Sequence, residues 1–155
     1  MRLSEMIAPE AVATELRGST GEEAISELCD LLCLAIGCEE KEKMFKLLME
    51  REELGSTAIG HGVALPHARV VNLDGFHVAL GLSKKGVDFH ASDRSFSHIV
   101  FLLVGPKDAS GFYLKALARI ARLARDEALR NRLLKCKSAE AVVAAIQEAE
   151  AKYLS

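Results

Sequence analysis

Residues 99–104 read Ile-Val-Phe-Leu-Leu-Val, an apolar side chain at every position. A strand sends alternate side chains to opposite faces, so this run leaves neither face fit for water, and it is too short to be a buried helix. It predicts a central strand covered on both sides, and helices must supply the cover. Two more short runs, 63–65 and 76–83, are rich in Val, Leu and Phe and bounded by Gly, Pro and Asp, which predicts strands.

The helices are read from their caps and their period. Thr20 with Glu23 three residues later makes a capping box, and Ile25, Leu28, Leu32, Ala35 and Ile36 recur at helical spacing until Gly37. A second helix is expected over 40–53, with Met44, Leu47 and Leu48 on one face and Arg51 continuing that face. After Gly105 and Pro106, Ser110 is read as the cap of a third, with Leu114, Leu117, Ala118, Ala121 and Ala124 inward and Lys115, Arg119 and Arg122 outward. Two more are expected over 126–135 and 138–151. The sum is an α/β chain with one mixed sheet in a three-layer arrangement, helices on both faces.

With 155 residues, half of them hydrophobic, the chain suits one core, and a single domain over 1–155 is expected. Its longest apolar stretches, 31–38 and 99–104, fall well short of the roughly 20 residues of a membrane helix. Arg2, Ser4, Glu5 and Pro9 leave no apolar segment for a signal peptide, so the expected location is cytoplasmic, without membrane insertion. Cys29, Cys33, Cys38 and Cys136 read as reduced structural cysteines. No basic face carries interleaved aromatics and there is no Trp, which argues for a protein partner and against nucleic acid.

The chemistry is concentrated in residues 51–69, R-E-E-L-G-S-T-A-I-G-H-G-V-A-L-P-H-A-R. Gly60 and Gly62 open backbone angles that let amides converge, Ser56 and Thr57 add hydroxyl donors, and Arg51 adds a planar cation suited to phosphate oxygens. Together they predict an anion site. Pro66 restricts Leu65 to extended geometry and so presents the ring of His67 in a defined direction. A neutral imidazole is a competent nucleophile, one nitrogen attacking while the other donates to a fixed acceptor. His77, His90 and His98 lack ligand-like spacing and receive no role.

The stretch G-S-T-A-I-G-H-G-V-A-L-P-H resembles the active-site segment of the fructose-, mannitol- and nitrogen-regulatory-type enzyme IIA domains of the bacterial phosphoenolpyruvate-dependent phosphotransferase system. The likeness extends over nearly the whole chain, through the helix ending Arg-Glu, the strand ending Leu-Leu-Val-Gly-Pro and the Leu-x-x-Leu-Ala helix that follows. It implies a mixed sheet of about five strands between helices. It also implies that His67 accepts a phosphoryl group from the histidine-containing phosphocarrier protein, that Arg51 helps to hold it, and that no metal or organic cofactor takes part. Enzyme IIB or a regulatory target protein would then be the acceptor or reader.

Two positions depart from the pattern. The family usually carries Asn where this chain has His61, and a second histidine in the helix after the Leu-Leu-Val-Gly-Pro strand, where this chain has Tyr113 before Leu114. Tyr113 can line the pocket and donate one hydrogen bond, but it cannot become cationic near neutral pH. His61, in the same loop, is the candidate to supply the missing imidazole. No cysteine follows a strand in a Gly-rich turn as an enzyme IIB site would require, which favours the nitrogen-regulatory branch over sugar uptake. The alternative is a regulatory binding module on the same fold that carries no phosphate.

Overall fold

The computed structural model describes residues 2–154. Strand β6 (Ser97–Pro106) is central, as its apolar run requires: Ile99, Phe101 and Leu103 enter one core, while Val100, Leu102 and Val104 enter the other. Strand β5 (His77–Val87) pairs antiparallel with β6 and divides in the same way, Val78, Leu80 and Leu82 facing one core and Ala79 the other. Burying each such Val, Leu, Ile or Phe side chain contributes about 1.5–3 kcal/mol. The double-sided cover is therefore the main source of the fold's stability.

One core is closed by helices α1 (Gly21–Ile36) and α2 (Lys41–Leu54), the other by α3 (Ser110–Ala124), α4 (Glu127–Leu134) and α5 (Ala139–Leu154). The Thr20–Glu23 capping box is present, and α1 ends at Gly37 in the left-handed region (φ 70°). No helix of the described residues is long and apolar enough to cross a membrane. All four cysteines carry free thiols; Cys29 and Cys33 are buried, Cys38 and Cys136 partly so.

Six strands form one mixed sheet, one more than the expected five or so, because the segment before His67 folds into short pieces. Strand β2 (Ala58–Gly60) pairs antiparallel with β3 (Val63–Ala64), and both β3 and β4 (His67–Val70) run parallel to β6. Val63 lies opposite Ile99 and His67 opposite Leu103, so the register passes through Leu65 and Pro66 without a slip. Proline has no N–H for the ladder, which accounts for the break. A further strand, β1 (Ile7–Ala13), unanticipated from sequence, lies at the far edge beside β5, where Pro9 is tolerated.

Helix α3 differs from the sequence expectation. Its inward face is Tyr113, Ala116, Ile120, Leu123 and Ala124, whereas Leu114 is 65% exposed. The apolar residues of this helix outline two overlapping stripes, and packing against the sheet selects the one through Tyr113. Ser110 is the first helical residue and caps nothing; Ala109 occupies the N-cap without a side-chain hydrogen bond. Arg119, expected outward, is largely covered and pairs with the fully buried Glu150 at 3.3 Å. That carboxylate also accepts from the amides of Leu3 and Ser4 at 2.6 and 2.9 Å, tying the first turn of the chain to α5.

Candidate functional site

An open cleft of about 820 Å³ lies where α2, β4 and the start of α3 meet, lined by His67, Ala68, Arg69, Tyr113 and Lys107 and by Leu47, Glu50, Arg51, Glu53 and Leu54 of α2. His67 opens β4 immediately after the proline break. Its ring is half-buried, and Nδ1 lies 2.7 Å from the carbonyl oxygen of Leu65. A carbonyl can only accept, so Nδ1 carries the proton and donates it to Leu65. In the neutral ring the lone pair is then on Nε2. The Leu65 carbonyl, two residues back, thus fixes the tautomer of the neutral ring.

Burial lowers the pKa of His67 below its ordinary 6.5, and the Arg51 guanidinium pushes the same way, against the opposing effects of the Leu65 carbonyl and the Glu52 carboxylate. The ring is therefore neutral and nucleophilic at pH 7. Arg51 reaches the cleft from the last turn of α2, on the face that also buries Met44 and Leu48. One of its guanidinium nitrogens donates to Gly55 O at 2.9 Å and fixes the side chain, leaving further donors uncommitted.

The ring of Tyr113 lies 6.0 Å from that of His67, centroid to centroid, tilted by 56°. Burial pushes its phenol up to about 12, so it stays protonated and neutral, and among the described residues its hydroxyl has no hydrogen-bond partner. The cleft thus holds a neutral nucleophile, a phenolic donor, three cationic side chains, Arg51, Arg69 and Lys107, and the carboxylates of Glu50 and Glu53, a net positive balance. This set suits an electrophile that carries negative charge.

The remaining residues singled out from sequence lie elsewhere. Ser56 donates to Phe89 O and accepts from Ala58 N, which closes a turn. Thr57 is buried with both its N–H and hydroxyl on the Glu52 carboxylate, at 2.9 and 2.6 Å, a clasp that secures the end of α2 just beyond Arg51. His61 is exposed in the turn between β2 and β3, beyond Val63, whose partner Ile99 is four positions along β6 from Leu103 opposite His67, and it is outside the cleft lining. Gly60 and Gly62 adopt the backbone angles expected of them, with φ of 88° and 73°, and shape that turn.

Arg69, Lys107 and Glu52 escaped the sequence reading. For Arg69 a signal was present: it stands two residues after His67 in a strand, and period two places both on one face.

The phosphoenolpyruvate-dependent sugar phosphotransferase system EIIA 2 family matches residues 5–149. A nitrogen regulatory protein from Bradyrhizobium diazoefficiens is 35% identical over 142 residues, 92% of each chain. The fructose-specific EIIABC component of Bacillus subtilis is 28% identical over 148 residues, which are 96% of this chain but 23% of that much longer protein. Among solved structures, the nitrogen regulatory protein IIA-Ntr of Neisseria meningitidis superposes with a TM-score of 0.85 at 27% identity, covering 92% of this chain and 97% of its own. With a family match across nearly its whole length and a fold shared with IIA-Ntr, the chain belongs to the EIIA 2 family of the phosphoenolpyruvate-dependent sugar phosphotransferase system.

Proposed function

We propose that this protein is a phosphocarrier that takes a phosphoryl group onto Nε2 of His67 from the histidine-containing phosphocarrier protein. It then passes the group to an enzyme IIB or signals its own state to a target protein. The hydrogen bond from Nδ1 to Leu65 O carries the reading, because it leaves the lone pair on Nε2 of a ring that lines the cleft with Arg51, Arg69 and Lys107. In the transfer the Nε2 lone pair forms the new N–P bond as the donor's N–P bond breaks, and the electron pair returns to the donor's ring. The proton stays on Nδ1, hydrogen-bonded to Leu65 O, and the donor leaves as a neutral imidazole with a proton on its own other ring nitrogen, so no net proton is released.

With the Nδ1 proton retained, the phosphoryl group adds about one net negative charge and three strong acceptor oxygens to the cleft, a change that a protein partner can read. The likeness to nitrogen regulatory proteins supports a signalling use of this site more than sugar uptake. The exposed Leu54 at the cleft, and Phe112 and Leu114 beside Tyr113, offer apolar surface for a partner.

Intact mass tests the reading after incubation with phosphoenolpyruvate, enzyme I and the phosphocarrier protein, wild type against His67→Ala. One phosphoryl group, acid-labile and alkali-stable, is expected on the wild type alone. No uptake by the wild type would replace the carrier reading with that of a regulatory binding module, as the exchange of a second histidine for Tyr113 allows.

A further inference from the structure

We propose that Arg69, held against the ring of Tyr113, is a second guanidinium ligand of the phosphoryl group, standing in for the histidine that Tyr113 replaces. This rests on His67 being the phosphoryl acceptor. Strand β4 alternates as a one-sided strand should: Ala68 and Val70 are buried, while His67 and Arg69 face the cleft. The two Cα atoms are separated by two strand residues, about 6.6 Å, within the span of an arginine side chain. Pairing of β4 with β6, His67 opposite Leu103 and Arg69 opposite Gly105, holds them in that relation.

What orients Arg69 is aromatic. Its guanidinium carbon lies 5.8 Å from the Tyr113 ring centroid, in cation–π range. Tyr113 in turn lies 6.4 Å from Phe76, which occupies the space left by the missing side chain of Gly105 and packs on Phe112 at 4.5 Å. Arg69 makes no hydrogen bond or ion pair among the described residues, so its donors are uncommitted. The phenol of Tyr113 feels both Arg69 and Arg51, so both charges lie near this ring. An anion on Nε2 of His67 would share the cleft with Arg51 from α2, Arg69 from β4 and the Tyr113 ring. A guanidinium keeps its charge at any physiological pH, so the substitution exchanges a titratable ligand for a permanent one.

The test charges wild type, Arg69→Ala, Arg69→Lys and Lys107→Ala to equilibrium with phosphoenolpyruvate, enzyme I and the phosphocarrier protein, and measures two quantities. One is the equilibrium constant for phosphoryl exchange with the phosphocarrier protein; the other is the midpoint of the phosphoryl ionisation by phosphorus NMR. Arg69→Ala should shift the exchange against the phosphorylated form by about tenfold and raise the ionisation midpoint, because a lost charged hydrogen bond is worth about that factor. Arg69→Lys should recover the midpoint in part, and Lys107→Ala should change neither quantity as much. Arg69→Ala with wild-type exchange and midpoint would overturn the role of Arg69 while leaving the carrier intact. A wild type that takes no phosphoryl group at all would overturn both.

Discussion

The Nδ1 proton of His67 is held by the carbonyl of Leu65, two residues earlier and 2.7 Å away. Because burial lowers the pKa of this ring, its C2 proton signal should titrate with a midpoint below 6.5. The folded ring then binds its proton less tightly than the unfolded one, so stability should fall as pH drops through 6.5 towards the folded midpoint. Histidine NMR and urea unfolding between pH 5 and about 7.5 check this, with His67→Ala as the control in which that slope is missing. A midpoint above 6.5 would contradict the burial argument.

The buried Thr57 hydroxyl donates to Glu52 at 2.6 Å. Thr57→Val keeps the shape and removes the donor, and should lower unfolding stability by about 1–2 kcal/mol. Thr57→Ser should retain most of the wild-type value. Urea midpoints at unchanged m distinguish the cases, and a Thr57→Val protein as stable as the wild type would show that the clasp is incidental.

His61 has a φ of 59°, in the left-handed region between two glycines that share it. Asn tolerates that conformation better than most residues, because its short amide bonds locally. His61→Asn should therefore raise stability by about 0.5 kcal/mol and leave phosphoryl uptake unchanged. Reduced uptake would bring His61 back as the replacement imidazole, despite its place outside the cleft.

The architecture was legible where local pattern and tertiary demand agree. The 99–104 run is a strand buried on both faces, the Thr20–Glu23 box opens α1, and the face of α2 that buries Met44 and Leu48 carries Arg51 to the cleft beside His67. Strand β1 was hidden because Pro9 and Glu10 interrupt its pattern, and only its edge position makes them acceptable. The face of α3 was misjudged because Leu114 and Tyr113 compete on apolar character, and the choice depends on distant partners such as Phe76. Ser56 and Thr57 look like anion ligands in sequence, since a hydroxyl's partner is invisible until Phe89 and Glu52 are placed. The nearness of Arg69 to Tyr113, 44 positions apart, is likewise a product of the folded chain.

Strand β6 holds β3 and β4 at an offset of 36 residues, while β5 is its neighbour in sequence. Short-range pairing closes a smaller loop and forms first, so the β5–β6 hairpin has the kinetic advantage and the parallel pairing follows. During synthesis, a chain growing from its N terminus exposes His67 before the strand that will align it has been made. Tyr113 follows later still. The cleft draws its lining from residues 47–113, so it can be complete only once translation has passed the start of α3.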